Sequence, residues 1–263
     1  MMDREFHRGD NGKWIAPFPF KEPRRRLPDN RQQAVKRARI LDISLKKNPV
    51  KCQHTTTFMQ TILDSGHAER APFVTEKECW YLPIFSVYHP KKPNQERMVF
   101  DSSAQFNGVS LNDVLLSGPD LTNSLLGVLM RFRNEHIGIM ADIQQMFHCF
   151  QVKEDHRNYL RFLWYEENDP QKDLVDYRMC VHVFGNSPSP AVATYGFRRT
   201  ARNAEHSFGH DVRSFVERNF YMDDGLISLP SVEEAVSLMR RTQQALFQEG
   251  GLRLQRLYQM TVT

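Results

Sequence analysis

Residues 212–230 read VRSFVERNFYMDDGLISLP, and within them Phe220-Tyr221-Met222-Asp223-Asp224-Gly225 sets two carboxylates side by side between apolar runs. The pattern predicts strand, tight turn, strand. Adjacent carboxylates repel each other, so an apolar hairpin that presents them at its tip needs a reason. One reason is that Asp-Gly is a common hairpin turn. The other is a pair of divalent cations. Two metals roughly 3.5–4 Å apart stabilise both the attacking and the leaving oxygen of a phosphoryl transfer. Hard Mg2+ suits such a site, because it takes a few carboxylate oxygens together with substrate phosphates.

A third carboxylate bears on the choice. HIGIMADI (136–143) is a continuous apolar run, β-branched at Ile137, Ile139 and Ile143, and reads as a buried strand with Asp142 close to its end. Asp142-Ile143-Gln144-Gln145 also reads as the cap of a following helix. An antiparallel sheet would bring Asp142 beside the 220–228 hairpin. Asp142, Asp223 and Asp224 together then make a two-metal site.

Outward from these segments, RQQAVKRARILDISLKK (31–47) predicts an amphipathic helix stopping near Asn48-Pro49, and a second helix is expected over 53–66. CWYLPIFSVYHP (79–90) and RMVFD (97–101) read as extended segments about a loop tip at Pro90 to Pro93. A helix is expected over 120–134 with Asp120 or Thr122 as its cap. NYLRFLWY (158–165) and YRMCVHVF (177–184) read as antiparallel partners, and 184–204 as a turn followed by a helix. Ser231 opens a last helix that stops at Gly250-Gly251. The order predicts an α+β fold, helices packed on a mainly antiparallel sheet.

A chain of 263 residues with 40% hydrophobic residues can bury a sizeable core. No apolar run is long enough to span a membrane. The charged N-terminus does not resemble a signal peptide, so the expected location is intracellular, cytoplasmic or nuclear, and not secreted. Cys52, Cys79, Cys149 and Cys180 lie far apart, which argues against a zinc site or a disulfide framework. Residues 1–51 hold fourteen Lys/Arg against six Asp/Glu, a net +8, whereas the remainder is net −4. A basic arm on a near-neutral body suits contact with nucleic acid, and it equally suits a solvated terminus.

Tyr221-Met222-Asp223-Asp224 resembles the signature motif of reverse transcriptases, and Asp142 with Phe147 five residues on resembles their first catalytic motif. RMVFDSSA (97–104), SLNDVLLSGPDL (110–121), LLGVLMRFR (125–133), ADIQQMF (141–147), RFLW (161–164) and FGNSPSP (184–190) together resemble the Pao/BEL class of LTR retrotransposons. The similarity runs from about Trp14 to about Arg256. It implies a right-hand polymerase: 1–30 as a basic Pro/Arg-rich lead-in, 31–135 as fingers and the start of the palm, 136–257 as the palm, and 258–263 as a divergent tail. It implies RNA-directed DNA polymerase activity with two Mg2+ ions, Mn2+ substituting, held by Asp142, Asp223, Asp224 and the carbonyl of Ile143. Phe147 matches the residue that closes on the sugar 2′ position, although core packing with Phe150 explains the same spacing. Arg97 matches a residue that grips the triphosphate, a task its planar fork suits. Gly185 to Pro190 match the turn that supports the template base, and Tyr221 and Met222 would lie beside the primer end. The implied partners are an RNA or DNA template-primer, a dNTP and the rest of a retrotransposon polyprotein, with no membrane.

The match weakens near the C-terminus. Arg256 and Leu257 stand where the family has a Lys-Trp pair before a long thumb, so the expectation is fingers and palm with the thumb missing. Two other readings compete: a catalytically silent relic that at most binds nucleic acid, and a nucleotide cyclase, which nothing at 184–190 or 97–101 favours.

Overall fold

A computed structural model describes residues 5–10, 12–73, 78–89 and 92–261. The chain is a mixed helix and sheet protein. It divides into two compact units, each assembled from separate stretches of sequence. One comprises residues 1–16, 118–150 and 190–263, and the other residues 17–117 and 151–189.

In the first unit a four-stranded antiparallel sheet runs in the order Phe220–Tyr221, Asp224–Leu229, Ile137–Ile143, Leu254–Thr261. Ile137–Ile143 is central because its apolar run lets one face be fully covered. Ile139, Ala141 and Ile143 are buried there, against Val192, Ala193 and Phe197 of the Ser189–Phe208 helix and Leu238 and Met239 of the Val232–Gly250 helix. The last helix starts and stops as its sequence predicts. Ser231 accepts from the backbone N–H of Glu234, and Gly251 closes the end in the left-handed conformation.

The second unit packs the Arg31–Lys47 and Pro49–Asp64 helices with a three-stranded sheet and the Ile84–His89/Lys92–Phe100 hairpin. Its core holds Met59, Ile62, Trp80, Phe162 and Trp164, all fully buried. Each such side chain contributes about 1.5–3 kcal/mol through burial.

Several boundaries differ from expectation. Residues 212–218 are helical, in His210–Arg218, and not a strand; Val212, Phe215 and Val216 are buried at the i, i+3, i+4 spacing of a helix. The strand opposite Arg161–Tyr165 is Leu174–Met179, with Arg161 facing Arg178, so it lies upstream of the expected 177–184. The second helix begins at Pro49, where Asn48 caps Lys51 and proline occupies the first turn. Ser124, not Asp120 or Thr122, caps the short Leu125–Phe132 helix, and the Asp120 carboxylate instead accepts from Thr122 N–H. The N-terminal stretch is extended but well packed. Phe6, Trp14, Phe18 and Leu27 are buried, because its aromatic residues outweigh its prolines and arginines. All four cysteines are free thiols.

Candidate active site

The Tyr221–Asp224 hairpin turns on Met222 and Asp223 alone, since Phe220 pairs with Gly225 and Tyr221 with Asp224. Met222 has φ +56°, the positive value the first central residue of a primed hairpin turn requires. Glycine usually fills that position, and a methionine there is strained. Gly225 is therefore not the turn residue. It lies in the following strand, where an added Cβ would sit 2.5 Å from the ring of Phe220. That ring is wedged between Phe197 and Phe215, at centroid distances of 4.7 and 5.0 Å. The Asp-Gly pair thus belongs to strand packing and does not form the turn.

Register then places the carboxylates. Asp224 is directly opposite Asp142, and the N–H of Ile143 donates to the carbonyl of Asp223 at 3.0 Å. Opposed residues of an antiparallel pair share a face. Asp142, Met140, Asp224 and Leu226 therefore lie on the face away from the buried Ile139 and Ala141. On the other side of Asp142, Gln255 is its cross-strand partner. Asp223 and Asp224 are exposed, and Asp142 is half-buried. The cap of the 3-10 turn that follows is Gln145, so Asp142 does not serve as a helix cap.

Among the described residues, no group of three or more His, Cys, Asp or Glu side chains is arranged to hold a metal ion. Asp142, Asp223 and Asp224 do not form a closed all-protein cage. The hairpin sets Asp224 opposite Asp142 on one sheet face, with Asp223 exposed in the adjoining turn, a group of hard oxygen donors.

Residues that sequence reasoning did not assign to the site fix the hairpin. The amide of Asn123 donates to the carbonyls of Glu217 and Phe220 at 3.0 and 2.8 Å, and its oxygen accepts from Arg198 at 3.0 Å. Burial lowers the pKa of Arg198. The hydroxyl of Thr122 lies 3.7 Å from the sulfur of Met222. Asn219 closes the base of the hairpin with two bonds to Leu226, backbone and side chain. The signal in the sequence was a Thr-Asn pair in a polar loop, which reads equally well as turn chemistry.

The remaining expected residues fall as follows. Phe147 sits in the 3-10 turn Met146–Cys149, partly buried against the first unit's core, so packing accounts for at least part of its position. Gly185, in the second unit, has φ +98°, and its carbonyl accepts from the Asn112 amide at 2.9 Å. The backbone of Arg97 lies opposite Val87 in the hairpin, and its side chain is outside the described residues. The side chains of Arg256 and Leu257 are outside them too.

Three solved structures share this fold. The foamy viral protease-reverse transcriptase dRH in complex with double-stranded DNA is 18% identical with TM-score 0.54, the match covering 74% of this chain and 30% of that one. A selenomethionine-labelled CSH mutant of the Prototype Foamy Virus protease-reverse transcriptase is 16% identical, covering 95% and 26%, with TM-score 0.54. The foamy viral protease-reverse transcriptase in complex with an RNA/DNA hybrid is 16% identical, covering 96% and 27%, with TM-score 0.55. No family model and no curated protein matches the sequence. The chain has a reverse-transcriptase-like fold, and it spans 26–30% of the length of these three structures. No helix among the described residues is long and apolar enough to cross a membrane.

Proposed function

We propose that the chain is the polymerase core of a reverse transcriptase of Pao/BEL type, adding deoxynucleotides to a primer on an RNA or DNA template. The unit with the four-stranded sheet serves as the palm and the other as the fingers. One observation carries the reading: Asp224 stands opposite Asp142 on one sheet face, and a strained two-residue turn exposes Asp223 beside them, within a reverse-transcriptase-like fold.

Asp142, Asp223 and the carbonyl of Ile143 would hold two Mg2+ or Mn2+ ions, with Asp224 alongside. Their all-oxygen chemistry fits a hard cation, and the lack of a closed cage fits a site completed by substrate phosphates. Bound there, the ions stabilise charge on the attacking and leaving oxygens. The chain's own residues do the positioning. Tyr221 and Met222 carry the primer end, and Phe147 meets the sugar. On the second unit, the Gly185 turn supports the template base and Arg97 takes the triphosphate; these roles rest on the resemblance. The net positive charge of residues 1–51, which the structure packs as strands and helices and not as a free arm, favours phosphate contacts that weaken with salt.

A second reading is a silent retroelement relic that binds nucleic acid without extending a primer; the basic excess of residues 1–51 suits it as well. Primer extension on an RNA template with dNTPs and Mg2+ separates the two. The active reading expects product, and expects Asp223→Asn, an exposed and shape-preserving change, to lower the rate at least about 10³-fold, several kcal/mol of transition-state stabilisation. Extension that survives this substitution removes Asp223 from the mechanism. A folded wild-type chain that never extends but still shifts nucleic acid supports the relic.

A further inference from the structure

The Leu125–Phe132 helix is inverted for a surface helix. Only Val128 is fully buried, while Leu126 is 70% and Met130 67% exposed, with Leu125 and Leu129 also outward. Four outward apolar side chains on eight residues mark an interaction surface more than a solvated one. Beside this face lies a cavity of about 440 Å³ lined by Met130, Arg131, Asn134, Ser214, Arg218 and Ser228.

The arginines are the second observation. Arg131 donates through one guanidinium nitrogen to the carbonyl of Arg218, at the end of the His210–Arg218 helix. Its Nε is buried and makes no hydrogen bond. Among the described residues, none of Arg131, Arg133 and Arg218 makes an ion pair, whereas Arg202, Arg213 and Arg241 of the same unit each bind a carboxylate. Burial, then the neighbouring charge of Arg218, pushes the Arg131 guanidinium below its usual pKa. Two uncompensated cations thus face a polar hollow next to an apolar ridge. A carboxylate entering the hollow would relieve the repulsion between the two guanidinium groups.

The occupant must supply acid and apolar groups together. A nucleic-acid backbone brings phosphate but nothing for Leu126 and Met130. A flat bilayer covers the ridge but cannot enter the hollow. We propose that this surface docks an acidic segment of a protein partner that carries leucine or phenylalanine, its carboxylates on Arg131 and Arg218 and its apolar side chains on Leu126 and Met130. The hollow lies at the base of the hairpin, not at its turn: Asn219 lines it, and Ser228 is four residues along the strand from Asp224, roughly 13 Å.

The test is fluorescence anisotropy on the full chain with a labelled Glu/Leu amphipathic peptide of about 15 residues, roughly four helical turns. Saturable binding is expected, weakened at least about tenfold by Arg218→Glu and by Leu126→Asp, both at exposed positions, with circular dichroism confirming the fold. A Lys/Leu peptide of the same pattern should not bind. Failure of the acidic peptide to bind, equal binding of the Lys/Leu peptide, or unchanged affinity in either variant overturns the proposal. So does binding to phosphatidylserine vesicles that the same two substitutions abolish, which would assign the surface to a membrane.

Discussion

The turn at Met222–Asp223 is closed at its tip by backbone, with side-chain clamps only at its base, whereas the turn at Phe184–Ser189 is itself closed by side chains, two of them from distant segments. In the first, two residues reverse the chain, φ is positive at a methionine, and Asp223 within the turn and Asp224 after it are exposed. In the second, Asn112 grips both sides, donating to Gly185 O and accepting from Ser187 N–H, each at 2.9 Å. The Ser102 hydroxyl bonds the buried Asn186, and Ser189 donates to Val183 at 2.8 Å. The difference follows from what each turn presents. A hairpin tip that displays charge keeps its two turn residues clear, so its geometry comes from strand register, a covered glycine and clamps at its base from Asn123 and Asn219. A turn that displays only shape has its polar groups free to be tied inward.

The most severe test of that contrast is Gly225→Ala. The new methyl would meet the Phe220 ring at 2.5 Å, and Phe197 and Phe215 leave the ring nowhere to go. A loss of about 1–3 kcal/mol is expected in urea denaturation, together with loss of primer extension as the hairpin shifts. A neutral result would show that glycine is not what sets the register. Asn112→Ala probes the other turn. It removes three hydrogen bonds, to Ser103, Gly185 and Ser187, and should cost about 1–2 kcal/mol by the same measurement. Should Asn112→Ala leave stability untouched, the side-chain clamp is dispensable and the two turns differ less than their contacts suggest.

Acid sharpens the comparison between the units themselves. In the second unit, burial alone would raise the pKa of Asp176, but bonds from Arg31 and Tyr81 reverse the sign and hold it low. Glu69 is likewise held low against burial, by Arg178. A depressed carboxylate contributes stability above its unfolded pKa, near 4, and that contribution is lost as pH falls through the lower folded value. The second unit should therefore loosen below about pH 4, followed through the fluorescence of Trp80 and Trp164, both buried in it. Asp176→Asn should flatten this dependence by on the order of 1 kcal/mol, since the pair is partly screened. A transition of unchanged steepness would take Asp176 out of the account.

Where the sequence was informative, it was so through periodicity and caps. The apolar run 136–143 and the Ser231 to Gly251 helix lie where their residues predict. The opposition of Asp224 and Asp142 was legible only as an inference from a sheet not yet seen, because register depends on pairing across 82 residues. The error at 212–218 came from reading β-branched valines as strand when Val212, Phe215 and Val216 also fit a helical stripe. The clamps at Asn112 and Asn123 were illegible for a different reason. A polar residue in a loop looks the same whether it bonds water or a carbonyl about a hundred residues away.

The smallest expected effect is at Met222 itself. Its φ of +56° places a side chain in the left-handed region, which costs on the order of 1–3 kcal/mol for a residue other than glycine. Met222→Gly would release that strain, while adding backbone entropy to the unfolded chain worth roughly 0.5–1 kcal/mol. The contact between Thr122 and the Met222 sulfur would also go. These terms nearly cancel, so a net stabilisation below about 1 kcal/mol is expected in urea denaturation. Primer extension should nevertheless fall several-fold, because the turn would no longer hold Asp223 in one geometry. A variant that is clearly less stable than the wild type would mean that the methionine is comfortable there. In that case the hairpin is fixed by contacts such as that with Thr122, in the manner of the Gly185 turn, and the contrast between the two turns fails.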